Sequence, residues 1–209
     1  MQTFKPVSGQ EFNFFTEKLP SWQGWLASLV VDSNGSTIGP DGTSKTVGNQ
    51  TDLQLLLALR SKASLIVTTG KTARSEQYKS SRFAPIAFIT KDQLSLASTP
   101  AVKSPGNFKN IFLSSAKPLS EAFNDFDNEL LAAGFSNFLF EGGLVSVVAL
   151  LKSRLPMNLV LSIANVQDFD ELKVLELLHK IFPEWSNPQL QEAFVMGPNT
   201  VTVWTKHAS

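Results

Sequence analysis

Short apolar runs alternate with amphipathic stretches along most of this chain, and that alternation limits the possible folds more than any other feature. "WLASLVVD" (25–32), "SLIVTTG" (64–70), "PIAFIT" (85–90), "NIFLSS" (110–115), "NFLFE" (137–141) and "NLVLSIANV" (158–166) have the length and content of buried strands. Helical patterns fall between them. Ser8 and Glu11 are spaced as a capping box ahead of Phe12, Phe15 and Leu19, with Pro20 as a stop. Thr51 and Gln54 repeat that spacing before Leu53, Leu56, Leu57 and Arg60. Ser120 is placed to cap a helix carrying Phe123, Phe126 and Leu130, which Gly134 would end. "GLVSVVALLKSR" (143–154) puts Lys152 and Arg154 in a last turn, and "DELKVLELLHKIF" (170–182) is amphipathic. At the end, "QEAFVMG" and "TVTVWTK" flank "PN" as two antiparallel strands. The pattern predicts an α/β fold with a mostly parallel central sheet, closed at one edge by a C-terminal antiparallel hairpin. With 209 residues and 43% hydrophobic content, one domain spanning 1–209 is expected, with residues 1–20 as an N-terminal helical appendage.

Charge and composition narrow the function classes. The formal net charge is +0, so the strongly basic surface typical of nucleic-acid binding is not expected. The densest basic stretch, "KSSR" (79–82), reads as a solvated loop. There are no cysteines, which removes disulfides and cysteine–metal sites. His179 and His207 stand apart from other metal-ligand types, so no metal site is expected. The N-terminus lacks the charged start and apolar core of a signal peptide, and no apolar run reaches the roughly 20 residues of a membrane span. The expectation is a soluble cytoplasmic protein without membrane contact.

In open α/β sheets, ligands bind beyond the carboxyl ends of the strands. Three polar clusters are expected there: "SNGSTIGPDGTSKT" (33–46) in the loop 33–49, "TTGKTARSE" (68–76) and "EGG" (141–143). At the last, Gly142 and Gly143 would let a ligand approach the main chain, and the helix that follows offers free N–H groups and a positive dipole end to a phosphate. Glu141 is placed to hydrogen-bond a polar ligand group. The same residues also suit a plain glycine turn with Glu141 stabilising the helix start. In the second cluster, Thr69, Thr72, Lys71 and Arg74 suit phosphates, and equally suit an exposed loop. GxGxxG and GxxxxGK[ST] are both absent.

Taken in order, "DSNG" (32–35), "DGTS" (41–44), "LALR" (57–60), "TGKTARSE" (69–76) and "EGGLVSVVALLKS" (141–153) resemble the reductase domain of bacterial riboflavin biosynthesis, over about residues 22–205. The resemblance implies a dihydrofolate-reductase-like three-layer sandwich. It implies an NADPH-dependent reductase similar to 5-amino-6-(5-phosphoribosylamino)uracil reductase, delivering a hydride to the ribosyl group of a small-molecule substrate. Family members tend to be homodimers. Residue by residue, it implies that Thr72 and Glu76 face the cofactor, that Gly142, Gly143, Leu144 and Val145 surround its phosphates, and that Thr90 touches the adenosine side. Asn34, Ser44, Arg60 and Arg82 would hold substrate, and Glu141 would act as the catalytic carboxylate. Lys71 and Arg74 carry the charge to contact a 2′-phosphate, and suit exposed loop charges equally well.

The chain also departs from the family pattern. The family's Asp in SLDG is Asn34, its aromatic two residues beyond the DGxS serine is Thr46, and Glu76 replaces an Asp. The Pro after the late strand is Asn165, and the Asp of "DEL" is Asn158. With no cysteines, the zinc deaminase partner domain is not expected within this chain. Two alternatives therefore stand beside the riboflavin-type reaction: a same-fold reductase acting on another pterin, pyrimidine or carbonyl compound, and a non-catalytic nucleotide-binding homologue.

Overall fold

The computed structural model describes residues 3–4, 10–167 and 170–208. Ser8, expected to cap the first helix, lies outside them. The strands are β1 (Thr3–Phe4), β2 (Gly24–Val31), β3 (Leu65–Thr69), β4 (Ile86–Ile89), β5 (Ile111–Leu113), β6 (Asn137–Phe140), β7 (Met157–Ile163), β8 (Gln189–Met196) and β9 (Asn199–Lys206). The helices are α1 (Glu11–Lys18), α2 (Gln50–Lys62), α3 (Gly70–Ser75), α4 (Pro100–Lys103), α5 (Leu119–Ala132), α6 (Leu144–Lys152) and α7 (Glu171–Ile181). The sheet order is β1-β8-β9-β7-β2-β6-β3-β4-β5. The pairs β2–β6, β6–β3, β3–β4 and β4–β5 are parallel, and β8–β9 is the antiparallel hairpin. The expected α/β fold, with its mostly parallel sheet and C-terminal hairpin, is present. The hairpin is not the outermost element, because β1 pairs in parallel with the end of β8 through Thr3↔Val195 and Phe4↔Met196.

The chain forms two compact units, with β2 and α2 contributing to both. Unit 1 comprises residues 1–20, 28–59 and 158–206; unit 2 comprises 21–27, 60–157 and 207–209. In unit 1, the segment expected to be an appendage supplies core: Phe15 and Leu19 are buried, and Phe14 meets Phe194 edge-on at 5.6 Å. Thr51 donates to Glu11 Oε1 at 2.9 Å, so it does not cap α2. That role falls to Asn49, whose Oδ1 accepts the Asp52 amide at 3.2 Å. Asp170 caps α7 through the Leu172 and Lys173 amides.

In unit 2, an aromatic cluster holds β2 and β6 against α5. Trp25 packs against Phe123 at 5.2 Å and Phe138 at 5.0 Å, and Phe123 meets Phe140 edge-on at 5.2 Å. The Trp25 indole N–H donates to Asp127 at 2.9 Å. β3 is buried along its whole length, as expected for a parallel strand inside a sheet. α5 begins one residue after Pro118, not at a Ser120 cap, because Pro118 already supplies the extended conformation that a helix entry needs. It ends as predicted: Gly134 has φ +89°, the Gly134 amide reaches Leu131 O and the Phe135 amide reaches Leu130 O. Arg154 falls beyond the last turn of α6, which stops at Lys152.

Candidate functional site

Residues 68–76, expected to be a loop, form the end of β3 and the short helix α3. Thr69 caps it, with its hydroxyl accepting the Thr72 amide at 3.2 Å. Six residues are too few to show a helical period in sequence. β6 runs parallel beside β3 with Val67↔Phe140 in register, and the Glu141 amide donates to Val67 O at 2.8 Å. The EGG turn and the α3 cap therefore leave the carboxyl ends of neighbouring strands. They touch directly: the Gly143 amide donates to Thr72 Oγ1 at 3.2 Å, and Thr72 Oγ1 lies 3.0 Å from Thr69 Oγ1.

The two glycines of the turn differ. A Cβ on Gly142 would stand 2.4 Å from Phe140 Cζ, in a ring already fixed by the aromatic cluster, so packing requires glycine at 142. At Gly143 the nearest obstacle is Thr72 Oγ1 at 3.7 Å, and the residue is exposed. Among the described residues, none accepts the amides of Leu144 and Val145, and Val145 is 83% exposed. α6 thus presents a helix N-terminus with open amides and a favourable dipole for an anion.

Glu141 lies behind this turn, 8% exposed. Arg60 Nε donates to its Oε1 at 2.7 Å and Arg60 Nη2 to its Oε2 at 2.6 Å. The Tyr78 phenol also donates to Oε2, and the Arg60 guanidinium sits 5.3 Å from the Tyr78 ring centre. Burial pulls the Arg60 pKa down, but the Glu141 charge and hydrogen bonds outweigh it, so the net shift is upward. Two residues read separately, one for substrate and one for chemistry, are thus one bidentate pair. Sequence reasoning missed Tyr78, because "SEQYKSS" carries no pattern that marks its only tyrosine as buried.

The remaining expected residues are placed as follows. Glu76 ends α3, with its amide on Thr72 O. Thr90 closes a local turn, donating to Asp92 O at 3.0 Å and accepting the Asp92 amide at 3.1 Å; its hydroxyl is therefore already engaged. Arg74 Nη1 donates to Ser95 Oγ at 2.7 Å. Arg82 is exposed, its guanidinium 4.8 Å from the Phe83 ring centre. Asn34 and Ser44 belong to unit 1. Asp32 Oδ1 accepts the Asn34 and Ser36 amides, and Lys180 donates to Asn34 O at 2.9 Å. Ser44 O accepts the Val47 and Gly48 amides. Between Asn34 and Ser44, the Thr46 and Thr43 hydroxyls and the Thr43 amide lower the Asp41 carboxyl to about 2. Thr46 is thereby held as a loop brace at 2.7 Å from Asp41 Oδ1.

Among the described residues, no group of three or more His, Asp or Glu side chains is placed to hold a metal ion. None of the described helices is long and apolar enough to cross a membrane.

No protein-family model matches the chain, and no curated protein sequence matches it. Solved structures do. A pyrimidine reductase-like protein from Corynebacterium diphtheriae superposes with a TM-score of 0.61 at 16% identity, covering 93% of this chain and 97% of that one. The diaminohydroxyphosphoribosylaminopyrimidine deaminase/5-amino-6-(5-phosphoribosylamino)uracil reductase of Thermotoga maritima gives 0.63 at 11% identity. That match covers 87% of this chain, which spans 56% of the bifunctional protein's length. Dihydrofolate reductase from Enterococcus faecalis, complexed with NADP(H) and RAB-propyl, gives 0.51 at 13% identity, covering 90% and 98%. The fold is that of the pyrimidine reductases and dihydrofolate reductase.

Proposed function

We propose that the chain is an NADPH-dependent reductase that delivers a hydride to a small nitrogen-heterocyclic substrate, as in the pyrimidine reductases of riboflavin biosynthesis. The observation that carries this reading is the open N-terminus of α6, with exposed Gly143 and unaccepted amides at Leu144 and Val145, set against the α3 cap at Thr72. A dinucleotide pyrophosphate fits that surface, because it needs N–H donors, a positive helix end and no Cβ in the way. Fold likeness to a dihydrofolate reductase complexed with NADP(H) supports the same assignment.

In this reading Leu144 and Val145 donate main-chain hydrogen bonds to the phosphates, Gly143 lets them approach the main chain while its own amide rests on Thr72, Gly142 fixes the turn, and Thr72 and Glu76 flank the cofactor. Lys71 and Arg74 read a 2′-phosphate, with Thr90 on the adenosine side. NADPH, when bound, supplies the hydride. The protein's own task is to hold the electrophilic carbon against it and exclude water. The Arg60–Glu141–Tyr78 group is pre-organised, so it can face a substrate dipole without reorganising. Glu141 then stabilises the cationic imine expected from ring opening of a ribosylamine. Asn34, Ser44 and Arg82 contribute to substrate binding by resemblance. A homodimer belongs to the same proposal and is checked by sedimentation.

Thermal unfolding with NADPH and NADH tests the cofactor. Ligand at about 100 times Kd stabilises the folded state by roughly 2.7 kcal/mol. Consumption of NADPH with 5-amino-6-(5-phosphoribosylamino)uracil then tests the reaction. Stabilisation without turnover points to another substrate, a reading that Asn34 and the braced Thr46 favour. No stabilisation by either nucleotide overturns the proposal.

A further inference from the structure

β5 is the last strand of the sheet and pairs on one side only, with β4. Among the described residues, no strand covers its outer side. The β4 ladder fixes which main-chain groups are left over there. Phe88 stands beside Phe112 and Ile89 beside Leu113, and Leu113 O accepts the Thr90 amide at 2.9 Å. Main-chain groups of successive strand residues point to opposite sides. Ile111 and Leu113 therefore turn theirs towards β4, and Phe112 turns its N–H and C=O outward, with Asn110 and Ser114 in the same phase. The Asn110 side chain is already held by Ala101 O at 3.0 Å. Ser114 is exposed, and Ile111 and Phe112 are half-buried.

An unpaired strand edge is a template for another strand, and proteins blunt it with an inward charge, a proline, a bulge or short length. β5 is Ile111–Leu113, so short length is the only one of these that it carries. Its charges lie at its two ends and are sorted by sign. The segment before it, 103–110, carries Lys103 and Lys109, both exposed, and no acid. α5, which follows it, carries Glu121, Asp125, Asp127 and Glu129 and no cation. Lys117, between strand and helix, is held by Asp125 at 2.6 Å. A strand with a basic approach and an acidic exit matches a reversed copy of itself. A parallel pairing would instead set lysine against lysine.

We propose that the outer edge of β5 is an interface between two copies of this chain, the two edges pairing antiparallel about a twofold axis at Phe112. Phe112 then exchanges both main-chain hydrogen bonds with the partner's Phe112. Asn110 and Ser114 exchange theirs with the partner's Ser114 and Asn110. Residues directly opposite each other project to the same face, so the Phe112 ring meets its symmetry mate and extends the Phe88–Phe112 stack, whose ring centres are 5.8 Å apart. The basic segment of each copy approaches the start of the other's α5, where Glu121 is exposed. A twofold contact of this kind closes on itself and leaves no edge for a third copy. An edge this short supports a dimer with Kd on the order of micromolar. The interface gives a location to the homodimer of the reductase reading and does not depend on that reading.

Sedimentation equilibrium without nucleotide, at concentrations spanning that range, is expected to show monomer in equilibrium with dimer. Ser114→Pro removes an outward N–H that β4 does not use, which is where an edge strand tolerates proline. It is expected to raise the dimer Kd at least about tenfold, because the Ser114 hydrogen bond and its symmetry mate are both lost. Should the variant not fold, amide hydrogen exchange of wild type serves instead. The Phe112 and Ser114 amides are expected to exchange more slowly at high concentration than at low, by at least about tenfold. A chain that stays monomeric overturns the proposal, as does an oligomer that grows beyond two. A dimer that Ser114→Pro leaves unchanged, or Phe112 and Ser114 amides that exchange equally fast at both concentrations, overturns it too. No nucleotide enters these measurements, so failure to bind NADPH would overturn the reductase reading and leave this interface standing.

Discussion

Arg60 and Glu141 show how little a charged residue's type reveals about its partner. Each is recognisable in sequence, Arg60 at the end of "LALR" and Glu141 ahead of two glycines, yet nothing in the chain announces that they pair across 81 positions. The pair makes a direct prediction. Arg60→Ala leaves a nearly buried carboxylate without its cation and is expected to lower stability by about 3 kcal/mol in urea unfolding. Replacing both with Met and Leu is expected to recover much of that loss, which a purely local packing defect would not allow. Asp52 behaves in the opposite way. Its folded pKa, about 6, exceeds the unfolded value of 3.8. Protonation therefore favours the folded state, and this contribution is full below 3.8 and fades as pH rises through 6. Asp52→Asn is expected to be more stable than wild type at pH 7, by up to about 3 kcal/mol, and the difference is expected to vanish near pH 4. A pH-independent difference would mean that the carboxyl is solvated. In sequence, Asp52 looks like any acid in a helix's first turn, where the macrodipole accommodates it, so its isolation from cations was not legible.

At the scale of elements, the EGG turn was legible in place but only half legible in purpose. Both glycines were expected to admit a ligand. The structure assigns Gly142 to the Phe140 ring and leaves Gly143 open. Gly142→Ala is expected to destabilise by about 1–3 kcal/mol, because the ring it meets is held by Trp25 and Phe123 and cannot retreat. Gly143→Ala has φ −68° and an unobstructed Cβ, so its stability is expected within about 0.5 kcal/mol of wild type. Its NADPH affinity is expected to fall on the order of tenfold, because the new methyl occupies the approach to the amides. Calorimetric binding to both variants separates the two roles. Helix caps were the least legible elements. Asn49 and Pro118 took roles expected of Thr51 and Ser120, because several polar residues compete at each helix start and tertiary partners decide among them.

For the whole chain, strand–helix alternation carried the architecture, since each apolar run has to be buried and intervening helices have to return the chain for parallel pairing. The addition of β1 beside the hairpin was beyond reach, because a two-residue strand has no pattern of its own. The burial of Phe15 was equally hidden, since an amphipathic N-terminal helix reads the same whether it packs or not. The likeness to solved structures is one of fold, at identities of 11–16%, and so shows in the geometry rather than in the residues. The reductase reading comes down to whether the α6 N-terminus takes a dinucleotide phosphate. Backbone amide NMR of the ¹⁵N-labelled chain titrated with NADPH tests this directly. The largest shifts are expected at Gly143, Leu144, Val145 and Thr72, and saturation with shifts confined elsewhere, or no shifts at all, would contradict it.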